Sequence, residues 1–327
     1  MAQTVIRWIG LSAAAAAVLL LGLAVGPADL SLIAVWQALL GRGEHSTIAI
    51  VRDLRMPRAL LAFFVGGSLA VTGAALQALV RNPLADPYLL GLSGGAGLGA
   101  VAAIVFKVGG VWAVPIAALV GALLAIALVY RLALVSGAVL DARVLLLSGV
   151  VVGAFAASLM GAIIAISPAP EVRNALLWLL GGFDAASWTA LGVFAAYAVL
   201  PLAVIYRQNR PLDLLSLGEE PAAFLGADVE RLKRVLYVAA SLLTAAAVSV
   251  SGIIGFVGLV VPHAIRLLWG HLHRSLLPAA FLLGGVLLVV ADAIARTAFA
   301  PLSLPVGVVT AIIGVPVFVL LVRRWAK

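Results

Sequence analysis

The chain has no cysteine among its 327 residues, and only 10% of them are charged. The first absence rules out disulfides, thiolate metal sites and cysteine nucleophiles. The second, joined to 65% hydrophobic residues and a mean hydropathy of +1.22, rules out a soluble globular protein. Catalytic signatures are missing as well. Gly41–Thr47 (GRGEHST) lacks the lysine of a phosphate-binding loop, so the chain cannot hydrolyse ATP alone. No His-Glu-x-x-His occurs, and His271 and His273 sit in a basic turn beside Arg274, so no metal site is expected from them or from His263. Asp292 is a solitary acid within an apolar run, which leaves no paired-carboxylate site.

What is present is a series of hydrophobic runs. At ~20 residues each, 327 residues accommodate about ten spans. They fall near 8–26, 59–80, 88–106, 111–130, 144–166, 187–206, 235–251, 252–269, 276–298 and 305–322. The whole of 1–327 thus reads as one all-α polytopic membrane domain. Arg7 followed by the apolar run to Val25 has the flavour of a signal peptide, but the run is long for one, and it reads as an uncleaved first span. An even number of spans puts both termini on one side. With the termini cytoplasmic, 14 of the 21 Lys and Arg residues fall inside and 7 outside, which sets the orientation. The net charge of +8 then belongs to anionic lipid and the positive-inside rule, not to nucleic acid.

Two charged regions stand out. The first, 206–235, gathers Arg207, Arg210, Asp213, Glu219, Glu220, Asp228, Glu230, Arg231, Lys233 and Arg234 on the cytoplasmic side. It is patterned for order: Asp213 can cap a turn through Leu217 that stops at Gly218, Pro221 opens a second short helix ending at Gly226, and Asp228 can cap the next. Apolar Leu214, Leu215, Leu217, Phe224 and Leu225 separate it from a disordered linker. A solvated connector is the plainer alternative. The second region lies outside, where Arg52, Arg55 and Arg58 crowd the second span and Arg296 ends the ninth. Snorkelling would account for one or two such arginines. A cationic docking surface for an acidic partner accounts for all of them. Asp292 and Arg296, four apart on one helical face, are placed to pair internally.

Small residues recur at helical spacing: Gly91, Gly95 and Gly99 make consecutive four-residue steps, as do Gly149 and Gly153, followed by Ala157 and Gly161. Such rows let helices approach closely. Arg55, Gly73, Pro83 and Gly91 recur 179 residues later as Arg234, Gly252, Pro262 and Gly270, the weak echo of an inverted repeat. The span centres carry Gln77, Ser148, Ser158, Ser251, Thr310 and glycines, which can line a polar path but cannot titrate. Ion-coupled carriers usually bury ionisable groups there. An ion-driven secondary transporter is therefore the alternative, and energy delivered from outside the chain, through 206–235, is the main expectation.

In nine blocks the chain resembles the FecCD permeases, the membrane subunits of type II ABC importers for iron–siderophore complexes, haem and cobalamin. The blocks are Leu54–Arg58 (LRMPR), Gly73–Gly97 (GAALQALVRNPLADPYLLGLSGGAG), Leu147–Gly153 (LSGVVVG), Trp178–Phe183 (WLLGGF) and Leu215–Gly226 (LSLGEEPAAFLG). They continue with Gly252–Gly270 (GIIGFVGLVVPHAIRLLWG), His273–Pro278 (HRSLLP), Ala291–Arg296 (ADAIAR) and Leu304–Phe318 (LPVGVVTAIIGVPVF).

The resemblance implies a ten-span permease fold acting as a homodimer, with two ABC ATPase subunits beneath and a periplasmic or lipid-anchored binding protein above. It places cytoplasmic coupling helices at about 211–230, with Leu215, Leu217, Gly218, Glu219, Glu220, Ala222, Leu225 and Gly226 as coupling residues. Docking of the binding protein falls to Arg55, Arg58 and Arg296. Gln77, Gly91, Gly95, Gly99, Ser148, Gly149, Gly153, Ser251 and Thr310 fall on the path or its packing, the path being lined by the third, fifth, eighth and tenth spans. No cofactor or metal is expected on the chain; ATP is used by the partners. The expected location is the cytoplasmic (inner) membrane. Among cargoes, an iron chelate stands first and cobalamin second, the latter favoured by the Trp178–Phe183 block and the length.

Overall fold

A computed structural model describes residues 2–26, 28, 30–134 and 141–325. Lys327, counted above with the cytoplasmic cations, lies outside them. The elements are α1 (Ala2–Ala24), α2 (Leu32–Leu39), α3 (His45–Ala49), a π-helical turn (Ile50–Arg55), α4 (Met56–Val80), a 3-10 turn (Pro87–Leu90), α5 (Leu92–Val105) and α6 (Ala113–Leu134). There follow α7 (Ala142–Ala165), α8 (Ala169–Leu179), α9 (Trp188–Arg207), α10 (Asn209–Leu215), α11 (Glu219–Phe224), α12 (Val229–Ser251), α13 (Val257–Trp269), α14 (His273–Thr297) and α15 (Val306–Trp325). No strand occurs among the described residues.

Among the described residues, seven helical stretches are long and apolar enough to cross a membrane: α1, α3 to α4, α6, α7, α9, α12 and α14. Three shorter apolar helices, α5, α13 and α15, complete the ten expected spans. At 1.5 Å per residue, the 14 residues of α5 reach only about 21 Å, short of a ~30 Å hydrocarbon layer. The 3-10 turn Pro87–Leu90 precedes α5, and the loop 252–256 precedes α13. The seventh and eighth spans are divided by the loop 252–256, opened by Gly252 at φ +66°.

The order long, short, long occurs twice, in α4–α6 and in α12–α14. Each half reaches into the other: α4 packs on α13 and α14, and α12 packs on α5 and α6. The helix order thus recurs, but not at the offset of 179 residues expected from the sequence. Gly73 lies inside α4, whereas Gly252 lies in the loop ahead of α13. Helix α4 is the axis of the protein, with 89% of its most apolar window buried, as an all-round apolar helix must be. Glycines permit the crossings. A Cβ on Gly73 would lie 1.9 Å from the Gly258 carbonyl oxygen, and one on Gly66 2.3 Å from that of Gly284.

Sequence reasoning did not anticipate α8. Its 11 residues begin at a Pro-Ala-Pro-Glu sequence that favours a helix start, but it is too short and too wet to register as a span. The π turn has a cause in sequence. Pro57 has no N–H to donate and its ring would strike the carbonyl four residues back, so the backbone widens ahead of it. The widening separates neighbouring arginines: Arg55 turns inward while Arg52 stays at the surface.

Candidate coupling and docking surfaces

The segment 206–235 is ordered, and its stops are those expected: Gly218 has φ +125° and Gly226 has φ +87°, values a side chain would strain. Asp228 caps α12 by accepting from the Arg231 amide at 3.0 Å. Asp213 behaves differently from the expectation. It lies inside α10, which starts at Asn209, and its Oδ1 accepts from the backbone N of His273 at 2.8 Å and meets the ring Nδ1 at 2.7 Å. Its capping capacity serves the first turn of α14 instead, which no local pattern in the sequence could announce.

The expected coupling residues separate into two sets. Leu215, Gly218 and Ala222 are buried and hold α10 and α11 against the body. Leu217, Glu220, Leu225 and Gly226 are exposed, and beside them Phe224 is 91% exposed. Phe224 was absent from the expected coupling set although it stood in the apolar pattern; only the fold reveals which face it takes. Glu219 points inward to Lys233, with Oε2 and Nζ at 3.0 Å, and Lys233 also meets Glu230 at 2.6 Å. Lys233 is only 1% exposed, and it fastens α11 to α12. Bonds through Lys233 and Asp213 thus tie the two short helices to two long ones, α12 and α14.

At the opposite end, the expected docking arginines turn into the protein. Arg55 donates to the carbonyls of Leu23 (2.8 Å), Ala24 (2.6 Å) and Ala28 (2.5 Å). Arg296 donates to those of Gly22 (3.2 Å) and Val25 (3.0 Å). The last carbonyls of a helix lack intrahelical partners, and two guanidiniums supply them at the end of α1. Arg296 also pairs with Asp292 at 2.9 Å, as the four-residue spacing implied. Asp292, 1% exposed, receives Arg58 at 2.9 Å as well. Arg58 then reaches Asp184 at 3.0 Å, whose side chain is 76% exposed. Arg58 is thereby joined to a carboxylate that faces out.

Between these ends, four breaks in the helices meet. Gly182 N donates to Ser251 O (2.8 Å), Val306 N to Gly181 O (2.8 Å) and Gly307 N to Leu180 O (3.1 Å). The Tyr88 hydroxyl donates to Ile254 O and accepts from Ile254 N, both at 3.0 Å. Backbone that leaves a helix inside the protein must find its partners there, and these bonds supply them. Ser251 lines a cavity of about 280 Å³ with Trp178, Gly182, Asp184, Leu304 and Pro305. The other expected path residues make close contacts within the chain, and Gly95 and Gly99 also line a cavity of about 490 Å³. Gln77 donates to the Gly258 carbonyl at 3.2 Å, and Thr310 to that of Gly307 at 3.0 Å. Gly91 abuts Gly149, Gly94 abuts Gly153, Gly95 abuts Gly121 and Gly99 abuts Ala117. Ser148 is buried beside Gly149 in α7. Along α7, by contrast, Leu147, Val150, Val151, Phe155 and Leu159 are exposed.

Asp86 caps the 3-10 turn by accepting from Tyr88 N at 2.9 Å, and burial raises its carboxyl to about 6. An acid whose folded pKa is raised destabilises the fold above that pKa and ceases to do so as pH falls toward the unfolded value of ~4. Asp86→Asn keeps the cap acceptor and removes the charge. Its melting temperature should exceed that of the parent protein at pH 7.5, with the difference vanishing below about pH 4.

Comparison with known proteins agrees with this architecture. The FecCD transport family matches residues 14–324. The chain is 46% identical over 275 residues to the cobalamin import system permease protein BtuC of Halobacterium salinarum, covering 84% of this chain and 73% of that protein. It is 38% identical over 289 residues to the vitamin B12 import system permease protein BtuC of Salmonella arizonae, covering 88% and 85%. Among solved structures, an inward-facing conformation of a putative metal-chelate type ABC transporter superposes with a TM-score of 0.87 at 28% identity, covering 97% of this chain and 98% of that one.

Proposed function

The chain belongs to the FecCD transport family and is a membrane permease of the ABC-importer type; from that premise we propose that it carries cobalamin inward, driven by ATPase subunits bound to α10 and α11. The observation that carries this reading is the solvent-facing apolar set Leu217, Phe224 and Leu225, mounted on short helices that are bonded to α12 and α14. An exposed aromatic at the wet end of a membrane protein suits a hot-spot contact. When ATP closes the two ATPase subunits, α11 moves with them. Lys233 and Asp213 pass that motion to α12 and α14, and the bonded helix breaks at Ser251 and Gly181 carry it toward the path. ATP is bound and consumed in the partners, not in this chain.

The remaining partners follow the same reading. The exposed apolar ridge of α7 suits a second copy of the chain across a central path. The end carrying Arg58 and Asp184 suits a binding protein, with Arg52 and the outer edge of Arg58 as its contacts, since Arg55 and Arg296 already serve α1. The charge bias of Lys and Arg supports a cytoplasmic-membrane location with both termini inside.

Cobalamin takes precedence over iron chelates because both similar permeases described above are named for it. The test is complementation of a strain deleted for its own cobalamin permease, supplied with this chain, its ATPase and its binding protein. Uptake of radiolabelled cobalamin is expected, with ferric siderophore and haem left outside. Uptake of an iron chelate alone would move the assignment to the other cargo.

A further inference from the structure

At the same end as α10 and α11 lies a cavity of about 240 Å³ that the coupling account does not use. Its lining includes Gln77, Arg81, Ser216, Arg266, His271 and His273, and no carboxylate. We propose that this cavity binds a phosphate-class anion, either inorganic phosphate or the phosphate monoester of a lipid headgroup.

Three observations converge there. First, the half-buried Arg266 gives one hydrogen bond, at 2.5 Å, to the neutral Gln77 amide, and it has no carboxylate partner among the described residues. A guanidinium carries five donors, so most of its capacity is unused. Gln77 is held for this role, because its own amide nitrogen is anchored on the carbonyls of Gly258 (3.2 Å) and Leu259 (3.4 Å), which turns its oxygen toward Arg266. Second, His273 is 3% exposed with Nδ1 on Asp213 at 2.7 Å, and its Nε2 is buried with no partner among the described residues. Leaving such a group unsatisfied is costly. Third, Arg81 and His271 complete a lining whose ionisable members are all basic and whose volume holds a tetrahedral oxyanion with water to spare, one water occupying about 30 Å³.

Phosphate fits the donor set better than a carboxylate. Its anionic oxygens can take Arg266 and Arg81 together, and a P–OH can donate to His273 Nε2 while Asp213 keeps the Nδ1 proton. Sulfate, unprotonated at neutral pH, offers Nε2 no hydrogen. The site adjoins Ser216, the residue that ends α10, so occupancy would stiffen the junction between the coupling helices and α13.

The test uses the full chain in phosphatidylcholine nanodiscs at pH 7, titrated with inorganic phosphate and followed by calorimetry. Phosphate is expected to bind roughly tenfold or more tightly than sulfate, and Arg266→Gln to weaken it by at least roughly tenfold, the size of one charge-assisted hydrogen bond. Arg81→Gln, at an exposed position that leaves the core intact, should weaken it severalfold. A second arm weighs lipid retained by the detergent-purified protein in native mass spectrometry. Phosphatidic acid retained by the parent and lost from Arg266→Gln assigns the lipid source; phosphate binding without lipid retention assigns the soluble one. Absence of both, or affinities untouched by either substitution, overturns the proposal. So does loss of ATPase co-purification in both variants with no anion bound, since that outcome makes the basic cluster a contact for protein carboxylates.

Discussion

Asp292→Ala is expected to destabilise the protein by about 3–5 kcal/mol, the usual effect of removing one partner from a buried ion pair. Its carboxylate is 1% exposed and stands between the guanidiniums of Arg58 and Arg296. Without it, two like charges are left side by side in a desolvated site. Arg296 cannot simply swing away, because it also closes the carbonyls of Gly22 and Val25 at the end of α1. The loss should appear as a large fall in the detergent melting temperature or as failure to accumulate in the membrane. Asp292→Ala combined with Arg58→Met should recover part of it by removing one of the stranded cations. Asp292→Ala melting with the parent protein would mean that the cluster is hydrated and that Arg58 is free to face a partner.

Phe224→Asp is expected to act in the opposite manner, with little change in stability and a large loss of partnership. The side chain is 91% exposed, so its removal disturbs no packing. If it seats in a groove of an ATPase subunit, its truncation belongs with interface hot spots, worth about 2–4 kcal/mol and hence roughly 30- to 1000-fold in affinity. Glu220→Ala, on the same exposed surface, should cost less, as rim charges generally do. Glu219→Ala should lower stability instead, because it removes a partner of buried Lys233. Co-purification of the ATPase and melting curves, measured on all three variants, separate these outcomes. An ATPase that stays bound to Phe224→Asp would place the coupling contact elsewhere.

Much of this arrangement was legible in the residues. The ten spans follow from apolar runs, the stops of α10 and α11 from Gly218 and Gly226, and the cap of α12 from Asp228, because each depends on neighbours in sequence. The pairing of Asp292 with Arg296 was readable for the same reason, being one helical turn. What escaped depends on distant contacts. Asp213 looks like a local cap, yet its partner His273 is 60 residues away. Arg55 looks like an external cation, but the π turn ahead of Pro57 points it at the end of α1. Gln77 looks like a polar path residue, and only the close approach of α13 makes it a strut. Phe224 and Glu219 lie five residues apart in one short helix, and nothing short of the fold tells which of them faces outward.

The central claim is that the work comes from ATP through α10 and α11. It is tested most directly by uptake into proteoliposomes holding this chain with its co-purified ATPase and binding protein. The account predicts cobalamin uptake that requires ATP, persists when ionophores collapse proton and sodium gradients, and disappears in Phe224→Asp. Uptake driven by an ion gradient without ATP, and unchanged in Phe224→Asp, would contradict it and make the chain an ion-coupled carrier built on a permease fold.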